Sequence, residues 1–385
     1  MRKLASIQKI VSVEEIPGAN TVVKVKVLGW ELVAKRSDFK TGDLCVFFET
    51  DSLLPKENPV FAFMANRKYR VKTVKMAGQV SQGLALPLSL FPDVESLGLT
   101  EGADLTDRLG IVKYEKEETD PETVISNKKD SKILKFLLKY KIMRTLILPF
   151  LSKEKGGFPS DIISKSDETR IQCMPGILQT EADSKFIASE KIEGSSATFS
   201  ISRIGLFGTS FKVCSRNMKL SRSQNVWWQM YDAYQIRAYL KGILSLLGKS
   251  VKSVAIQGEI IGPKICNNIY CLKEPDLYVY RVKINYRDGS VSFFNPYKMR
   301  ELFDGVQAKF GIKVELKVVP VIWDGWLTQF PDVNSILEFA DGFSKLKPDQ
   351  LREGLVFSKI NDPNVSFKTV SRKYLLQKGK KEDAD

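Results

Sequence analysis

The most reactive group that the sequence offers is a lysine in a glycine-containing turn. Lys191 follows an apolar run and begins the turn Lys-Ile-Glu-Gly-Ser-Ser, which ends at Ser196. A lysine amine acts as a nucleophile only when metal ions or cationic neighbours favour its neutral form. Because surface turns often contain a Lys-x-Glu-Gly tetrapeptide with a solvated and inert lysine, the tetrapeptide by itself is a weak indication of a catalytic site.

Further chemistry-bearing side chains follow this lysine along the chain. An arginine comes after a strand-like segment, a carboxylate ends a strand, an aromatic residue lies within a strand, a second carboxylate begins a strand and a lysine lies on the last strand; these are Arg216, Glu259, Tyr280, Glu353 and Lys368. Each also has a structural interpretation, as a solvated turn residue, a surface ion-pair partner or a core aromatic. Only their order and spacing as a series distinguish a site from independent coincidences.

Taken as a series, these groups resemble the motifs of the covalent nucleotidyltransferase superfamily, which comprises the ATP-dependent DNA and RNA ligases and the mRNA capping enzymes. The resemblance implies that Lys191 attacks the α-phosphate of ATP to give a lysyl-N–AMP. It implies that Arg216 holds the ribose or a phosphate and that Tyr280 stacks on the base. Glu259 and Glu353 would bind the ribose hydroxyls and a divalent metal, Mg²⁺ or Mn²⁺.

The same resemblance implies four more contacts with ATP. Glu190 and Glu193 belong to the nucleotide-binding set, although Glu193 stands where the family usually has an aspartate. Arg170 would bind the β- and γ-phosphates. Lys368 would contact the α-phosphate and neutralise charge as pyrophosphate leaves.

The last motif departs from the family pattern at one position. Ser366 stands where the family usually carries the first lysine of a Lys-x-Lys pair. We therefore expect that Lys368 does the work of both cations, or that the second cation comes from Arg372 or Lys373.

Residues 1 to about 110 show the pattern of a small β-barrel. The valines of 23–27 alternate with Lys24 and Lys26, which predicts a half-buried strand, and Leu44–Phe48 predicts a buried one. Basic strands with aromatic residues nearby suit single-stranded nucleic acid lying on a barrel face. Solvated strand faces would produce the same pattern.

A barrel that precedes the transferase motifs resembles RNA ligases with an N-terminal OB domain. Segments 40–49, 80–84 and 165–172 support this finer resemblance. DNA ligases and capping enzymes place an OB-fold after the core, and this chain ends soon after Lys368. We therefore expect the RNA ligase arrangement.

The predicted fold class is α+β. We expect an OB-like nucleic-acid-binding domain over 1–110, a linker with a basic amphipathic helix over 111–157, and a mixed α/β nucleotidyltransferase domain (ATP-grasp-like, of the ligase adenylation type) over 158–385. The linker helix, Ile133–Leu151, contains four basic residues, which make a membrane span unfavourable. The clearest helix of the last domain is predicted over Asn225–Leu247.

Composition narrows the chemistry and the partners. The chain has 385 residues and no histidine, which excludes Ser-His-Asp triads and His-ligated metals. Its five scattered cysteines are typical of reduced thiols in an intracellular protein. A net charge of +14 indicates a polyanionic partner.

The sequence thus predicts a soluble, intracellular ATP-dependent RNA ligase, which joins 3′-hydroxyl and 5′-phosphate ends in RNA repair or nick sealing. RNA is the expected partner, with RNA/DNA hybrid ends as an alternative; a membrane partner is not expected, and a monomer is favoured. The alternatives are a DNA ligase or a capping guanylyltransferase without its trailing OB domain, and a catalytically inactive RNA-binding protein.

Overall fold

The computed structural model describes residues 3–114, 158–165, 167–204 and 208–382. The predicted linker helix over Ile133–Leu151 lies outside these residues. Contacts divide the chain into two units. The first unit comprises Met1–Lys116, Glu168–Lys191 and Pro320–Asp385, and the second comprises Glu117–Asp167 and Ile192–Val319.

Strands predominate in both units. In chain order, the elements up to the end of the first stretch of the first unit are β1 (Ala5–Glu15), β2 (Val22–Val27), β3 (Trp30–Lys35), β4 (Leu44–Phe48), β5 (Ser52–Leu53), β6 (Thr73–Met76), β7 (Gln79–Gln82), β8 (Leu84–Pro87), α1 (Pro92–Glu95) and β9 (Val112–Lys113). They are followed by α2 (Ile177–Thr180), β10 (Lys185–Lys191), β11 (Ser195–Ile204), β12 (Gly208–Cys214), α3 (Val226–Ala233), α4 (Ile236–Leu246), β13 (Val251–Ile261), β14 (Asp276–Tyr286), β15 (Val291–Phe294), α5 (Pro296–Phe310), β16 (Val321–Trp326), α6 (Val333–Ala340), β17 (Gly354–Lys359), β18 (Ser366–Val370) and α7 (Arg372–Glu382).

The N-terminal part of the first unit is an antiparallel five-stranded sheet in the order β3-β2-β1-β4-β8. As predicted, Val23, Val25 and Val27 are buried while the lysines between them are not. A β-bulge interrupts the pairing of β1 with β2 between Ile10 and Ser12, and bulges increase the local twist of a sheet. The result is a curled sheet that buries two apolar clusters.

A second sheet of the first unit has the order β16-β10-β17-β18 and is antiparallel throughout. Phe186 and Ala188 of β10 pack with Phe357 of β17 and with the apolar residues of α6. Because side chains alternate along a strand, the odd-numbered residues of β10 point to the other face of the sheet. Lys191, the last residue of β10, lies on that other face.

The second unit is built on an antiparallel sheet in the order β12-β11-β13-β14-β15. The predicted single helix over Asn225–Leu247 is wrong, because α3 and α4 are separate helices. Gln235 between them has a left-handed φ of 49°, which cannot continue the α-helical hydrogen bonds. Among the described residues, no helix is long and apolar enough to span a membrane.

Candidate active site

Lys191, the predicted nucleophile, lies beside Glu353, one of the two predicted metal-binding carboxylates. The antiparallel pairing of β10 with β17 places Lys191 opposite Gly354, the residue after Glu353. The Nζ of Lys191 is 2.6 Å from Oε2 of Glu353, and the two side chains are 27% and 17% exposed. The structure thus brings together two groups that the sequence identified separately, and it leaves the amine partly open to solvent.

Gly354 is a glycine because the neighbouring strand is too close for any side chain. A Cβ at this position would lie 2.1 Å from the carbonyl oxygen of Thr369 and 2.9 Å from Cα of Val370, both on β18. Close approach of two backbones requires glycine. Because Gly354 has no side chain, β17 and β18 can approach this closely, and this approach helps to set the position of Glu353.

Two predicted phosphate-binding cations are neighbours in the first unit. Arg170 and Lys368 form a parallel β-bridge, and the backbone N–H of Lys368 donates to the carbonyl of Thr169 at 2.9 Å. Arg170 is 6% exposed, and its guanidinium lies over the ring of Trp30 at 5.6 Å. Its Nη2 is also 3.2 Å from Oδ2 of Asp51.

Asp51 was not identified from the sequence. It lies in the N-terminal part of the chain, which the sequence assigned to a separate domain, and it also pairs with Arg70 at 3.0 Å. Its position between two arginines orients the Arg170 guanidinium through a charge-assisted hydrogen bond. A signal for this residue was absent from the sequence, because no motif or periodicity connects segments so far apart in the chain.

The two candidates for the second cation, Arg372 and Lys373, lie in different surroundings. Arg372 lies among acidic and polar side chains: Nη1 is 4.0 Å from Oε2 of Glu31, and Nε is 4.0 Å from Oδ2 of Asp341. These carboxylates hold Arg372 as Asp51 holds Arg170, so Arg372 stays a candidate for the second cation. Lys373 is exposed, and it remains an alternative to Lys368 acting alone.

Glu190 does not lie with Lys191. It is 2% exposed on the opposite face of β10, and its Oε2 accepts a hydrogen bond from the backbone N–H of Lys345 at 2.8 Å. Burial raises the pKa of the Glu190 carboxyl above its ordinary value.

In the second unit, a β-bulge sets the direction of Tyr280, the predicted base-stacking residue. Gln257 pairs with Arg281 and the next residue, Gly258, pairs with Val279, so that Tyr280 is the extra residue of β14. A Cβ at Gly258 would lie 2.8 Å from the carbonyl oxygen of Tyr278, which makes glycine necessary there. Bulges commonly redirect side chains at functional sites.

Glu259 shares a row across the same sheet with polar and aromatic side chains. It lies opposite Ser196 on β11 and opposite Tyr278 on β14, so the three side chains share one face. The hydroxyl groups of Tyr280 and Ser196 are 3.1 Å apart. This face therefore combines a carboxylate with two aromatic rings and hydroxyl groups.

The turn that follows Lys191 is held by the loop between β13 and β14, which no sequence motif indicated. The backbone N–H of Glu193 donates to the hydroxyl of Tyr270 at 3.0 Å, and Cys266 Sγ lies 3.3 Å from the carbonyl oxygen of Gly194. A Cβ at Gly194 would lie 2.3 Å from the carbonyl oxygen of Ile260, so the turn packs directly against β13. Five non-glycine residues of the loop have positive φ, namely Lys264, Cys266, Asn267, Asn268 and Cys271.

Arg216 is exposed in the turn that follows β12. Its neighbour Asn217 accepts a hydrogen bond from the Nζ of Lys165 at 2.9 Å, within one of the segments that supported the finer resemblance. The exposure of Arg216 is compatible with both interpretations, because a ligand-binding residue and a solvated turn residue would each be exposed.

Basic residues of the N-terminal sheet are partly neutralised. The Nζ of Lys24 is 3.2 Å from Glu31 and 3.5 Å from Glu14, and Arg36 forms an ion pair with Glu15. These pairs favour the solvated-face interpretation for those positions over direct binding of phosphates.

Comparison with known proteins identifies the class of this chain. A family model described as an OB-fold domain matches residues 4–88. A family model described as RNA ligase matches residues 184–374. No curated protein matches the chain at a significant level of sequence similarity.

Solved structures of Naegleria gruberi RNA ligase are similar to the whole chain. A glutamate-to-alanine mutant with AMP and Mn has a TM-score of 0.77 and 30% identity, covering 99% of this chain and 100% of that chain. The ligase with PPi has a TM-score of 0.76 at the same identity and coverage. A lysine-to-alanine mutant with ATP and Mn has a TM-score of 0.77, again with 30% identity and coverage of 99% and 100%.

The chain therefore belongs to the RNA ligase family, in the form that carries an N-terminal OB-fold domain, and it is an enzyme that ligates RNA. The predicted fold class, with an OB-fold before a mixed α/β ligase domain, is confirmed, and so is the predicted family.

Proposed function

We propose that this enzyme joins 3′-hydroxyl and 5′-phosphate RNA ends in three steps, with a lysyl-AMP intermediate on Lys191. The Lys191 amine attacks the α-phosphorus of ATP and pyrophosphate leaves. The AMP then passes to a 5′-phosphate RNA end, and a 3′-hydroxyl attacks that phosphate and expels AMP. The 2.6 Å contact of Lys191 with Glu353 carries this proposal, because Glu353 would bind the divalent metal, and a metal ion beside the amine favours its neutral, nucleophilic form.

Arg170 and Lys368 would supply the phosphate contacts. Arg170 presents a rigid fork of N–H donors suited to the β- and γ-phosphates. Lys368, its neighbour across the β-bridge, would balance the charge that develops as the bond from the α-phosphorus to the leaving oxygen breaks.

Tyr280, Glu259, Arg216 and Glu193 would supply the nucleoside contacts. Tyr280 would stack on the adenine, and Glu259 on the same sheet would accept hydrogen bonds from the ribose hydroxyls. Arg216 would reach the ribose or a phosphate from the exposed turn after β12. Glu193 would complete the set next to the nucleophile.

The donor chemistry fits a divalent metal bound mainly through the substrate. Among the described ranges of the chain, no group of three or more His, Cys, Asp or Glu side chains could hold a metal ion by itself. Mg²⁺ and Mn²⁺ are commonly held by one or two carboxylates together with phosphate oxygens and water. Glu353 and Glu259 are the carboxylates that would contribute, and the ion would supply charge neutralisation at the phosphates.

Labelling with α-³²P-ATP and Mg²⁺, followed by denaturation, tests the first step. We expect an acid-labile label on the wild-type enzyme and none on Lys191→Ala. Lys185→Ala is the matched control, since Lys185 is an exposed lysine on the same strand and should leave labelling unchanged. Labelling with GTP in place of ATP would instead support a capping guanylyltransferase, and no label with either nucleotide would overturn the proposal.

Sealing of nicked duplexes tests the later steps. We expect the enzyme to join a nick with an RNA 3′-hydroxyl strand, including RNA opposite DNA, and to join all-DNA nicks poorly. Equal sealing of all-DNA nicks would overturn the assignment of RNA ends as the preferred substrate.

A further inference from the structure

The residue before the proposed nucleophile is a carboxylate that faces the protein interior. Glu190 lies opposite Leu355, a residue of the apolar core between the sheet and α6. Its Oε2 accepts the N–H of Lys345 at 2.8 Å. A buried carboxylate costs free energy unless hydrogen bonds and an opposite charge compensate for the lost water. Of the cations that act on Glu190 through their charge, Arg352 has the largest effect.

That cation is the residue before Glu353. Arg352 is 8% exposed, and its Nε donates to the carbonyl of Ala340 at 3.1 Å. Its Nη2 donates to the carbonyl of Phe339 at 2.5 Å. These carbonyls end α6, where a cation is stabilised by the unpaired carbonyl groups of the last turn.

Both the backbone and the guanidinium of Arg352 pack closely against Gly342. Its N–H donates to the carbonyl of Gly342 at 3.0 Å. A Cβ at Gly342 would lie 2.6 Å from Nη2 of Arg352, so the chain turns tightly around this group. Among the described residues, no ion pair within 4.0 Å joins Glu190 to Arg352, so their opposite charges attract each other at longer range. Lys345 and Asp341 are the other charged residues near this pair.

Two pairs of residues thus connect the same two segments of the chain. Lys191 and Glu353 meet on one face of the sheet, and the residues that precede them, Glu190 and Arg352, are buried and oppositely charged. The carbonyl of Glu353 is also held, by the N–H of Ser371 at 2.8 Å. The segment that ends in Glu353 is therefore anchored from within the protein.

We propose that Glu190 is a positioning residue, which acts through Arg352 and the Lys345 N–H to hold segment 341–353 against β10 and so places the Glu353 carboxylate beside Lys191. In this role it does not contact ATP. The inference rests on the proposed function only in taking Lys191 as the nucleophile.

Single-turnover adenylylation of Glu190→Gln at a series of ATP concentrations tests the inference. The glutamine keeps an oxygen for the Lys345 N–H but removes the charge opposite Arg352. Because a misplacement of about 1 Å at a reacting group can reduce a rate about 100-fold, we expect the maximal rate to fall about 10–100-fold. The apparent Kd for ATP should change by less than about 2-fold, since no ATP contact is removed. Glu338→Gln, an exposed carboxylate on α6, is the matched control and should behave as wild type.

A double variant distinguishes a charge pair from two independent effects. If Glu190 acts through Arg352, then Glu190→Gln combined with Arg352→Gln should be no slower than the slower single variant, within about 2-fold. Multiplication of the two single effects would overturn the proposal, as would an increase in the Kd for ATP at an unchanged maximal rate, or wild-type kinetics. Should Glu190→Gln fail to fold, Arg352→Lys keeps the charge and loses the fork; it should lower the maximal rate without changing the Kd, and wild-type kinetics would again overturn the proposal.

These outcomes are separate from those of the proposed function. A label that persists in Lys191→Ala would contradict the choice of nucleophile, whatever Glu190→Gln does. A loss of label in Lys191→Ala with wild-type kinetics in Glu190→Gln would contradict the positioning role alone.

Discussion

The Nζ of Lys191 lies 2.6 Å from Oε2 of Glu353, at the point where β10 ends and β17 begins. The antiparallel register of these two strands, with Lys191 opposite Gly354, creates the contact. An ammonium paired with a carboxylate is not a nucleophile, so the amine must lose a proton before it can attack. The contact with Glu353 fixes the position of the amine at the end of β10.

Glu353→Gln should slow adenylylation of Lys191 strongly while leaving the protein folded. The amide keeps the volume of the side chain but cannot neutralise a cation, and losing one electrostatic group from an active site commonly costs about 100-fold in rate. Single-turnover labelling with α-³²P-ATP measures the effect. Asp349→Asn, an exposed carboxylate in the segment before Glu353, should retain the wild-type rate. Equal losses in both variants would point to a general effect of charge.

Asp51→Asn should weaken ATP binding with little effect on the maximal rate. Asp51 orients the Arg170 guanidinium at 3.2 Å, and a neutral amide leaves that group less well ordered. We expect the apparent KM for ATP to rise about 3–10-fold, in line with the loss of about 1 kcal/mol. Titration of ATP in the labelling assay measures it. Glu57→Gln, 74% exposed in the same part of the chain, should have no effect, and an unchanged KM in Asp51→Asn would contradict the role of Arg170 at the phosphates.

Glu31 should contribute to stability in a pH-dependent way. Partial burial by itself raises its pKa, but the Asn334 amide and Lys24 outweigh this effect, so the pKa of the Glu31 carboxyl lies below its ordinary value of 4.5. A lowered carboxyl pKa contributes stability that is fully present above the ordinary value and is lost as the pH falls through the lowered one.

Urea unfolding of Glu31→Gln tests this contribution. At pH 7 the variant should be less stable than wild type by about 1 kcal/mol, and the difference should disappear in strongly acidic solution. Glu14, the other partner of Lys24, is 55% exposed. Glu14→Gln should therefore change stability little at either pH. A difference that persists unchanged at low pH would show that packing, and not charge, is responsible.

Gly354→Ala should destabilise the first unit. Its Cβ would lie 2.1 Å from the carbonyl oxygen of Thr369, a backbone atom that cannot move without shifting β18. Overpacking of this kind typically costs about 1–3 kcal/mol or more. Thermal unfolding measures the loss. Gly305→Ala is the matched control: it lies within α5, nothing is within 4 Å of its Cβ, and the exchange should be neutral or stabilising by up to about 1 kcal/mol.

Local patterns were sufficient to predict several strands, β2 and β4 among them. The alternation of valine and lysine in β2 reports one buried face, because side-chain direction in a strand has a period of two. The same local reasoning failed at Gln235, where a single left-handed residue divides a continuous helical pattern. Nothing in the periodicity of the flanking residues indicates such a break.

Contacts between distant segments could not be predicted from local sequence patterns. The sequence separated residues 1–110 from the ligase domain, whereas the N-terminal sheet shares a unit with 168–191 and 320–385. Glu31 accepts from Asn334 at 3.0 Å, and Asp51 holds Arg170. Such pairs leave no regular signal, because each residue is one polar side chain within its own segment.

By itself, the sequence determined which groups are available for chemistry: a lysine in a turn, carboxylates and cations in order, and no imidazole. Tertiary structure decided which of these groups meet. Lys191 and Glu353 are brought together by strand register, while Glu190, the immediate neighbour of Lys191, is turned away to the buried face. The physical reason is that the pleat of a strand places adjacent residues on opposite faces of the sheet, whereas strand pairing, whose register depends on which face is buried, joins residues that are remote in the chain.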